Sequence, residues 1–577
     1  MIILGLNLFH ADSSASIIKD GQIISSIEEE RFKRIKHYSG FPTESLDRIL
    51  SNSKISVEDI DYITTNKSSF YNFTEKIKFN LINFEFNSLI EYLKDRNFRK
   101  TDILKELKKF GELKKLKKIV DIPHHLSHIS YSYFLSCFEN CMGLTIDGSG
   151  DFSTSESYKI RAGNIDLFDK VVFPNSLGIF YQAFTQFLGF RRYGEEYKVM
   201  SLSSYGKPKY LKEVNKMISV DKNFNFKLNL KFFKHHKIGF NLFNETGYPI
   251  FNDLFTKELE KIFNIPSRYK NEQLKEIHFD IAASVQNIFE KIIFDRINFL
   301  QKKTGFDNAC FSGGCFFNSK MAGKIKYNTE LKDIYIGSNP GDAGGAIGSA
   351  LYLSNKILKK SFLSHKDKIS YNIGYQKFSE SKIFNQFKDF VEVKNYKTNN
   401  EIIDIASELL KSHEIIAWFQ SGSEWGPRAL GCRSILANPS KKNVVDEINL
   451  LLKKRESFRP FAPSICNDDY NKYFEDNFDC SFMNYVVNVK QEVRHKIPAV
   501  VHVDGTSRAH SVLKEDNELF YNLIKSFKNK TDICCLLNTS FNIDEPICET
   551  IEDAMKTFLK SNLSYLILNN YLITKKK

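Results

Sequence analysis

The sequence predicts an α/β protein of two domains whose N-terminal domain is built twice over. Three observations carry this expectation. A plan of strand, acidic loop and hairpin occurs at 1–32 and recurs at 142–173. Two strand–glycine-rich loop–helix units follow within 308–357, and the chain changes character beyond about residue 358, where a further α/β region begins.

Taken in order, the first plan reads IILGLN, FHADS, SASII, KDGQ and IISSIEEERF, with Lys19-Asp20-Gly21 as the hairpin turn. Its apolar opening has no basic segment before it and is soon broken by polar residues, so it reads as a buried strand, not a signal peptide. The second plan reads MGLTIDGSGDFSTS, ESYKIRAG and NIDLFDKVVF, with the turn at Gly163-Asn164. Residues 71–118 and 273–304 carry helical periodicity. The strand at 308–312 leads into FSGGC, and IYIGSNPGDAGG follows from 334, each loop opening a helix whose free N–H groups suit a phosphate. Domains are expected at 1–360 and 396–577, with 361–395 as a linker. The last domain holds short β runs (EIIAWFQ, SFMNYVV, DICCLLNTSF) and a helix over Asn443–Lys454. The doubled plan implies two similar subdomains facing a cleft. That arrangement resembles the actin-like ATPase superfamily (ASKHA), which includes sugar kinases and chaperone ATPases.

The totals narrow the function classes. At 577 residues and 42% hydrophobic content the core is large, and no window of roughly 18 apolar residues predicts a membrane span. Ten scattered cysteines without a CxxC pair read as reduced thiols of a cytoplasmic protein. The net charge of +13 concentrates partly in Arg99–Lys118, where interleaved acids and helically spaced Leu and Ile favour a solvated helix face over a nucleic-acid surface.

One string stands out chemically. HHLSH places His124 and His128 four apart, on one face of a helix. Two imidazoles so spaced can bind one metal ion, with Asp147 of IDGSGD and Asp342 of NPGDAGG as carboxylate ligands. Helix-surface or capping histidines would show the same spacing. A nitrogen–oxygen donor set suits iron(II) first, then manganese(II) or zinc.

HHLSH, IDGSG, FSGG and NPGDAGG occur in this order after LGLN and EEERFKRIKH. PNSLGIFY (174–181), EYKVM (196–200) and SYGKP (204–208) lie between them. EWGPRALGCRSILANP (424–439), KKRESFRPFAPS (453–464), VDGTSRAHSV (503–512) and LNTSFN (537–542) follow. This set resembles the NodU/CmcH-type O-carbamoyltransferases over nearly the whole chain. It is similar, more distantly, to the TsaD-like enzymes of threonylcarbamoyl-adenosine tRNA modification.

The resemblance implies an actin-like, TsaD-like N-terminal domain and a YrdC-like C-terminal domain. It implies that carbamoyl phosphate and ATP (with magnesium) yield carbamoyl adenylate in the latter, and that an acceptor hydroxyl takes the carbamoyl group in the former. Arg428, Arg459 and Arg508 match the arginines for carbamoyl phosphate, whose oxygens a guanidinium fork fits; a lone arginine is otherwise an ordinary surface cation. Arg433 and Arg455 lie nearby, and Asn538, Thr539 and Ser540 are further contacts to the carbamoyl or adenylate group. Lys36 matches a nucleotide-contacting lysine, while Gly313, Gly314 and Asn318 match the adenine and ribose pocket. His10 matches a residue near the acceptor and is expected, with Asp12, to be catalytic, taking the acceptor proton or steadying the oxyanion. The opening loop reads HADSSA where many relatives place His-Asp beside small residues. Residues 235–253 are expected to shape the acceptor pocket. The expected partner is a small hydroxyl-bearing acceptor, a sugar or secondary metabolite, without membrane or nucleic acid; a homodimer is one assembly allowed for. The competing functions are threonylcarbamoyl transfer to tRNA, a sugar kinase on the same scaffold, and a catalytically dead partner.

Overall fold

The computed structural model describes every residue except 84–99, 239–241, 245, 271, 359–379, 421, 477 and 577. Contacts divide the chain into two compact units, Met1–Lys33 with His37–Asp367, and Arg34–Lys36 with Lys368–Lys577.

The first unit holds two five-stranded mixed sheets. One contains β1 (Ile2–Asn7), β2 (Ser14–Lys19), β3 (Gln22–Glu28), β4 (Tyr62–Thr65) and β5 (Lys118–Asp121), in the order β3-β2-β1-β4-β5. The other contains β6 (Asn140–Gly150), β7 (Ser153–Arg161), β8 (Asn164–Val172), β9 (Asn308–Ser312) and β10 (Asp333–Ile336), in the order β8-β7-β6-β9-β10. In each, three antiparallel strands continue into two parallel ones, so strand order and direction coincide. The apolar strand residues explain why both form: Ile3, Leu4, Leu6, Met142, Leu144 and Ile146 are almost completely buried.

The turns obey local chemistry. Asp20 (φ 51°) and Gly21 (φ 91°) close the first hairpin. In the second, Ala162 (φ 44°) and Gly163 (φ 83°) take the left-handed positions and Asn164 already opens β8, one residue earlier than the expected Gly163-Asn164 turn.

The helices of this unit include α1 (His124–Leu135), α2 (Leu177–Phe187), α3 (Glu276–Thr304), α4 (Ser319–Asn328) and α5 (Gly344–Leu358). Within the stretch 71–118, a helix covers Phe73–Asn83 and another 100–107, before Lys118 opens β5. Its exposed lysines meet the unit's own carboxylates: Lys114 lies 3.0 Å from Glu58, Lys115 2.8 Å from Asp59 and Lys117 3.3 Å from Asp61.

The second unit is built on an eight-stranded mixed sheet. Its strands are β11 (Val391–Asn395), β12 (Ile416–Phe419), β13 (Arg433–Ala437), β14 (Ala462–Cys466), β15 (His510–Val512), β16 (Cys535–Ser540), β17 (Tyr565–Leu568) and β18 (Tyr571–Lys575). Their order is β11-β18-β17-β12-β13-β16-β14-β15. Helices α7 (Asn399–Lys411) and α8 (Glu518–Thr531) bury Ile402, Ala406, Leu410, Phe520, Ile524 and Phe527 against Trp418, Leu436, Leu536 and Ile567. The stretch 361–395 contains α6 (Glu380–Phe387) and β11, whose ladder to β18 makes its end an edge strand of the sheet.

The helix expected over Asn443–Lys454 is an α turn, Val444–Asp446, followed by a π-helix over Glu447–Leu452. The Lys453 N–H donates to the Ile448 carbonyl, five residues back, which widens the turn. All ten cysteines are free thiols, and only Cys137 is exposed.

A candidate metal centre and an arginine cluster

Helix α1 begins directly after Pro123, and its first turn aims His124 and His128 in one direction. Asp151 fixes this end of the helix, since its Oδ2 accepts the His124 N–H at 2.9 Å. Asp147 lies where the β6–β7 register shifts between Ile146 and Gly150, an irregularity that re-aims its carboxylate. The Gly148 N–H donates to Asp147 Oδ1 at 2.7 Å, leaving Oδ2 for the histidines. Gly150 has no side chain because a Cβ there would stand 2.0 Å from the His124 ring.

Asp342 arrives from the loop before α5. Gly348 sets that helix: a Cβ would stand 1.9 Å from the Ser127 carbonyl oxygen, so only glycine lets α5 pass this close to α1. Asp342 Oδ1 then lies 3.4 Å from His124 Nε2 and 3.3 Å from His128 Nε2. Asp147 Oδ2 lies 3.4 and 3.1 Å from the same two nitrogens, which are 3.0 Å apart.

Four donors thus converge within 4.8 Å of one another. A tetrahedral site with bonds of 2.0–2.2 Å has edges of roughly 3.3–3.6 Å, so the observed separations fit a single ion. The electrostatics agree. Burial opposes protonation of His124, yet Asp342 and Asp147 hold its pKa well above the ordinary value. Burial likewise opposes ionisation of Asp342, and His124 and His10 overcome it. A dication would take the place of those protons.

The other expected residues of this unit are placed as follows. His10 directs Nδ1 at Asp342 Oδ2, 3.2 Å away, and so buttresses the cluster. Asp12 faces His37 instead, with Oδ1 2.7 Å from Nδ1. Gly313 (φ 97°) has Ile146 O 2.3 Å from where a Cβ would be, and Gly314 lies against Asp147. Asn318 is fully engaged: Oδ1 caps α4 by accepting the Met321 N–H at 3.0 Å, and Nδ2 donates to Gln286 at 2.9 Å. Of residues 235–253, the buried His235 has Nε2 2.8 Å from Pro174 O, Asp253 pairs with Arg191 at 2.5 Å, and Glu245 lies outside the described residues.

Lys36 belongs to the second unit, 3.8 Å from Asp544. It is His37, the last residue of the same RIKH string, that lies beside Asp12. The sequence reading passed over His37, and RIKH was the signal that could have found it.

In the second unit, Glu424 shapes the loop that presents Arg428. Its Oε1 accepts the N–H groups of Leu430, Cys432 and Arg433 at 2.8, 2.8 and 2.9 Å. Gly431 (φ 98°) closes the turn. Burial and the neighbouring Arg428, Arg455 and Arg459 together disfavour the charge on Arg508. Lys453, also buried, is disfavoured by burial and by Arg455, Arg459 and Lys36, and donates to Asn542 Oδ1 at 2.6 Å. Cations gathered this way call for a bound anion to offset the cost of burial. Asn449, on the π-helix, accepts from Arg455 Nε at 2.6 Å and donates to Arg459 O at 3.0 Å, bracing that loop.

Arg433 has a different place. It is fully buried, donates to the Gln420, Cys432 and Glu549 carbonyls, and stacks 3.6 Å over Phe419. Asn538 donates from Nδ2 to Ala429 O at 2.9 Å and to Ser464 Oγ at 2.8 Å, tying the Arg428 loop to the sheet. Ser540 Oγ donates to Asn542 Oδ1 at 2.7 Å.

Comparison with known proteins adds to this geometry. A family model described as the carbamoyltransferase N-terminus matches residues 2–351, and one described as the carbamoyltransferase C-terminus matches 407–575. Nodulation protein NolNO of Sinorhizobium fredii is 31% identical over 99% of this chain and 80% of its own length. Nodulation protein NolO of Bradyrhizobium diazoefficiens is 33% identical over 78% of this chain and 79% of its own. Protein sll1178 of Synechocystis is 31% identical over 99% of this chain and 96% of its own.

Proposed function

Because the chain belongs to the carbamoyltransferase family and is a carbamoyltransferase, we propose that it carries the carbamoyl group of carbamoyl phosphate to a hydroxyl of a small acceptor by way of carbamoyl adenylate. The acceptor is a sugar or secondary metabolite.

On this reading the second unit, YrdC-like, makes the intermediate. Carbamoyl phosphate and ATP give carbamoyl adenylate, phosphate and pyrophosphate, with one water consumed. Arg428, Arg459 and Arg508 bind the phosphate oxygens, with Arg455 and Lys453 beside them. Gathered cations in a buried setting are the observation that carries this half.

The first unit, actin-like with its two sheets of equal order, performs the transfer. His124, His128, Asp147 and Asp342 would hold a divalent metal, which supplies Lewis acidity to the phosphate oxygens of the leaving AMP. The donor set suits iron(II), manganese(II) or zinc. His10 holds Asp342 in orientation and hydrogen-bonds the developing oxyanion. Gly313 and Gly314 leave room for the nucleotide beside Asp147, and Asn318 shapes that wall from the start of α4.

The test needs no acceptor. Purified protein with ATP, magnesium and carbamoyl phosphate should release pyrophosphate, and Arg428→Ala and Arg459→Ala should each cut that release by about a hundredfold or more. ATP left untouched would sink the reading, and ADP in place of AMP would indicate phosphoryl transfer on the same scaffold.

A further inference from the structure

From the hydrogen bonds across the second unit's sheet we infer that Ser464 and His510 are positioning residues that lock the Asn538 amide with its oxygen toward the ligand, so that the site takes an acyl phosphate bearing an N–H group and rejects one bearing a methyl. This rests on the second unit being where carbamoyl phosphate binds.

Asn538 lies on β16, opposite Leu436 of β13 on one side and Ala462 of β14 on the other, and is 2% exposed. Both protons of its Nδ2 are used. One goes to Ala429 O at 2.9 Å, the other to Ser464 Oγ at 2.8 Å. The reverse amide orientation would set Oδ1 against the Ala429 carbonyl oxygen, acceptor against acceptor, so the network assigns the oxygen to the opposite side. There Oδ1 is buried and, among the described residues, has no hydrogen-bond partner. A buried acceptor in that state calls for a donor from outside the chain.

Ser464 is held in turn. It stands beside His510 in the parallel β14–β15 register, and its Oγ lies 2.8 Å from His510 Nδ1. Burial holds the His510 pKa down at about 3, so the ring is neutral. The Ser464 hydroxyl has a single proton. Among the described residues Nδ1 is the acceptor that takes it, which leaves the Oγ lone pairs for Asn538. The ring itself stacks on Phe520 of α8, 20° from parallel with centroids 6.2 Å apart. Ser464 and His510 are both fully buried, so they act on a ligand only through the amide.

The amide sits among the arginines. Ala429, which takes its first proton, follows Arg428, and His510 stands two residues after Arg508. Arg508 Nε is also buried without a partner among the described residues. A ligand with anionic oxygens at one end and an N–H donor at the other satisfies both groups. The carbamoyl phosphate dianion carries hydrogen-bond donors only on its nitrogen. Oδ1 therefore meets that NH2, because against the phosphate it would oppose oxygen to oxygen. Acetyl phosphate has the same phosphate and nearly the same outline, with a methyl in place of NH2, and leaves Oδ1 unpaired.

The test measures pyrophosphate release with ATP and magnesium. It gives kcat/KM for carbamoyl phosphate and for acetyl phosphate, and inhibition by inorganic phosphate, which reads the arginines alone. Wild type should prefer carbamoyl phosphate by about ten thousandfold, since a site built around a substrate N–H rejects the analogue that lacks it. Asn538→Leu should bring the two substrates within about tenfold of each other while phosphate still inhibits within about threefold of wild type. Ser464→Ala and His510→Leu should each cut the preference by about tenfold or more, again with phosphate inhibition kept. Ser464→Thr, which retains the hydroxyl, should retain the preference. A folded Ser464→Ala protein with wild-type preference overturns the positioning, and so does a Ser464→Thr protein that loses the preference as fully as Ser464→Ala. Wild type that uses acetyl phosphate within about tenfold of carbamoyl phosphate overturns the selection, whatever the variants do. Wild type that releases no pyrophosphate with carbamoyl phosphate overturns the two-step reading and this inference with it.

Discussion

Gly348→Ala is a one-carbon perturbation whose effect can be worked from distances. The added carbon would stand 1.9 Å from the Ser127 carbonyl oxygen, where real contacts are not shorter than about 3.0 Å, so α1 and α5 must part by about 1 Å. His124 and His128 ride on α1, and Asp342 lies two residues before α5. Metal sites tolerate ligand displacements of about 0.2 Å. The displacement is several times larger, so affinity for the divalent ion should fall at least 10–100-fold, the loss typical when ligand support is disturbed. Overpacking should also cost about 1–3 kcal/mol of stability. The assay is metal stoichiometry and affinity by calorimetry and elemental analysis, beside denaturant unfolding of the metal-free protein. Wild-type affinity in a folded Gly348→Ala protein would refute the claim that this glycine sets the ligand geometry.

Other perturbations have equally definite outcomes. Arg508→Met removes a buried cation held among Arg428, Arg455 and Arg459; the ligand-free protein should melt about 1–3 °C higher, and the stabilisation given by carbamoyl phosphate should vanish, both read by calorimetry. Glu424→Ala strands three buried N–H groups at about 1–3 kcal/mol each, so the Arg428 loop should open, shown by lost protection from proteolysis and lost pyrophosphate release. Burial lowers the His510 pKa from 6.5 to about 3, so the folded state resists a proton that the unfolded state accepts. That stability is full above pH 6.5 and drains as pH falls toward 3. His510→Gln should therefore flatten the loss of stability between pH 6.5 and 4, measured by urea unfolding; an unchanged slope would remove His510 from the account.

How much of this was legible depended on the range of the interaction. Strand identity in the repeated plan came from local alternation and turn chemistry, and only the second turn slipped, because Ala162 takes a left-handed position usually left to glycine or asparagine. The His124–His128 pairing follows from helical spacing. Asp342, more than two hundred residues away in sequence, was offered as a ligand from its glycine-rich loop, whereas the contact that brings that loop to the histidines, Gly348 against Ser127, appears only in three dimensions. Lys36 and His37 are neighbours in sequence that fall in different compact units, a separation no local pattern encodes. Arg433 looked like its neighbouring arginines in composition, yet full burial and three carbonyl acceptors make it a strut. The π-helix was missed because helical periodicity does not distinguish a widened turn.

The matching strand orders of the first unit's two sheets have a mechanical consequence. In the second sheet, the β6–β7 ladder breaks after Ile146 and resumes at Gly150, so Asp147 sits in a gap of three residues between paired stretches of strand. In the first, β1 stops at Asn7 and the ladder resumes only at Ser14, freeing the intervening chain to bend through Phe9 and Asp12 onto the 37–40 loop. Equivalent corners of one blueprint are thus a short gap in one sheet and a six-residue loop in the other. The short gap suits an ion, whose bond lengths allow little play. The longer loop has more chain to vary, so sequence differences among relatives should accumulate around the first corner more than around the second.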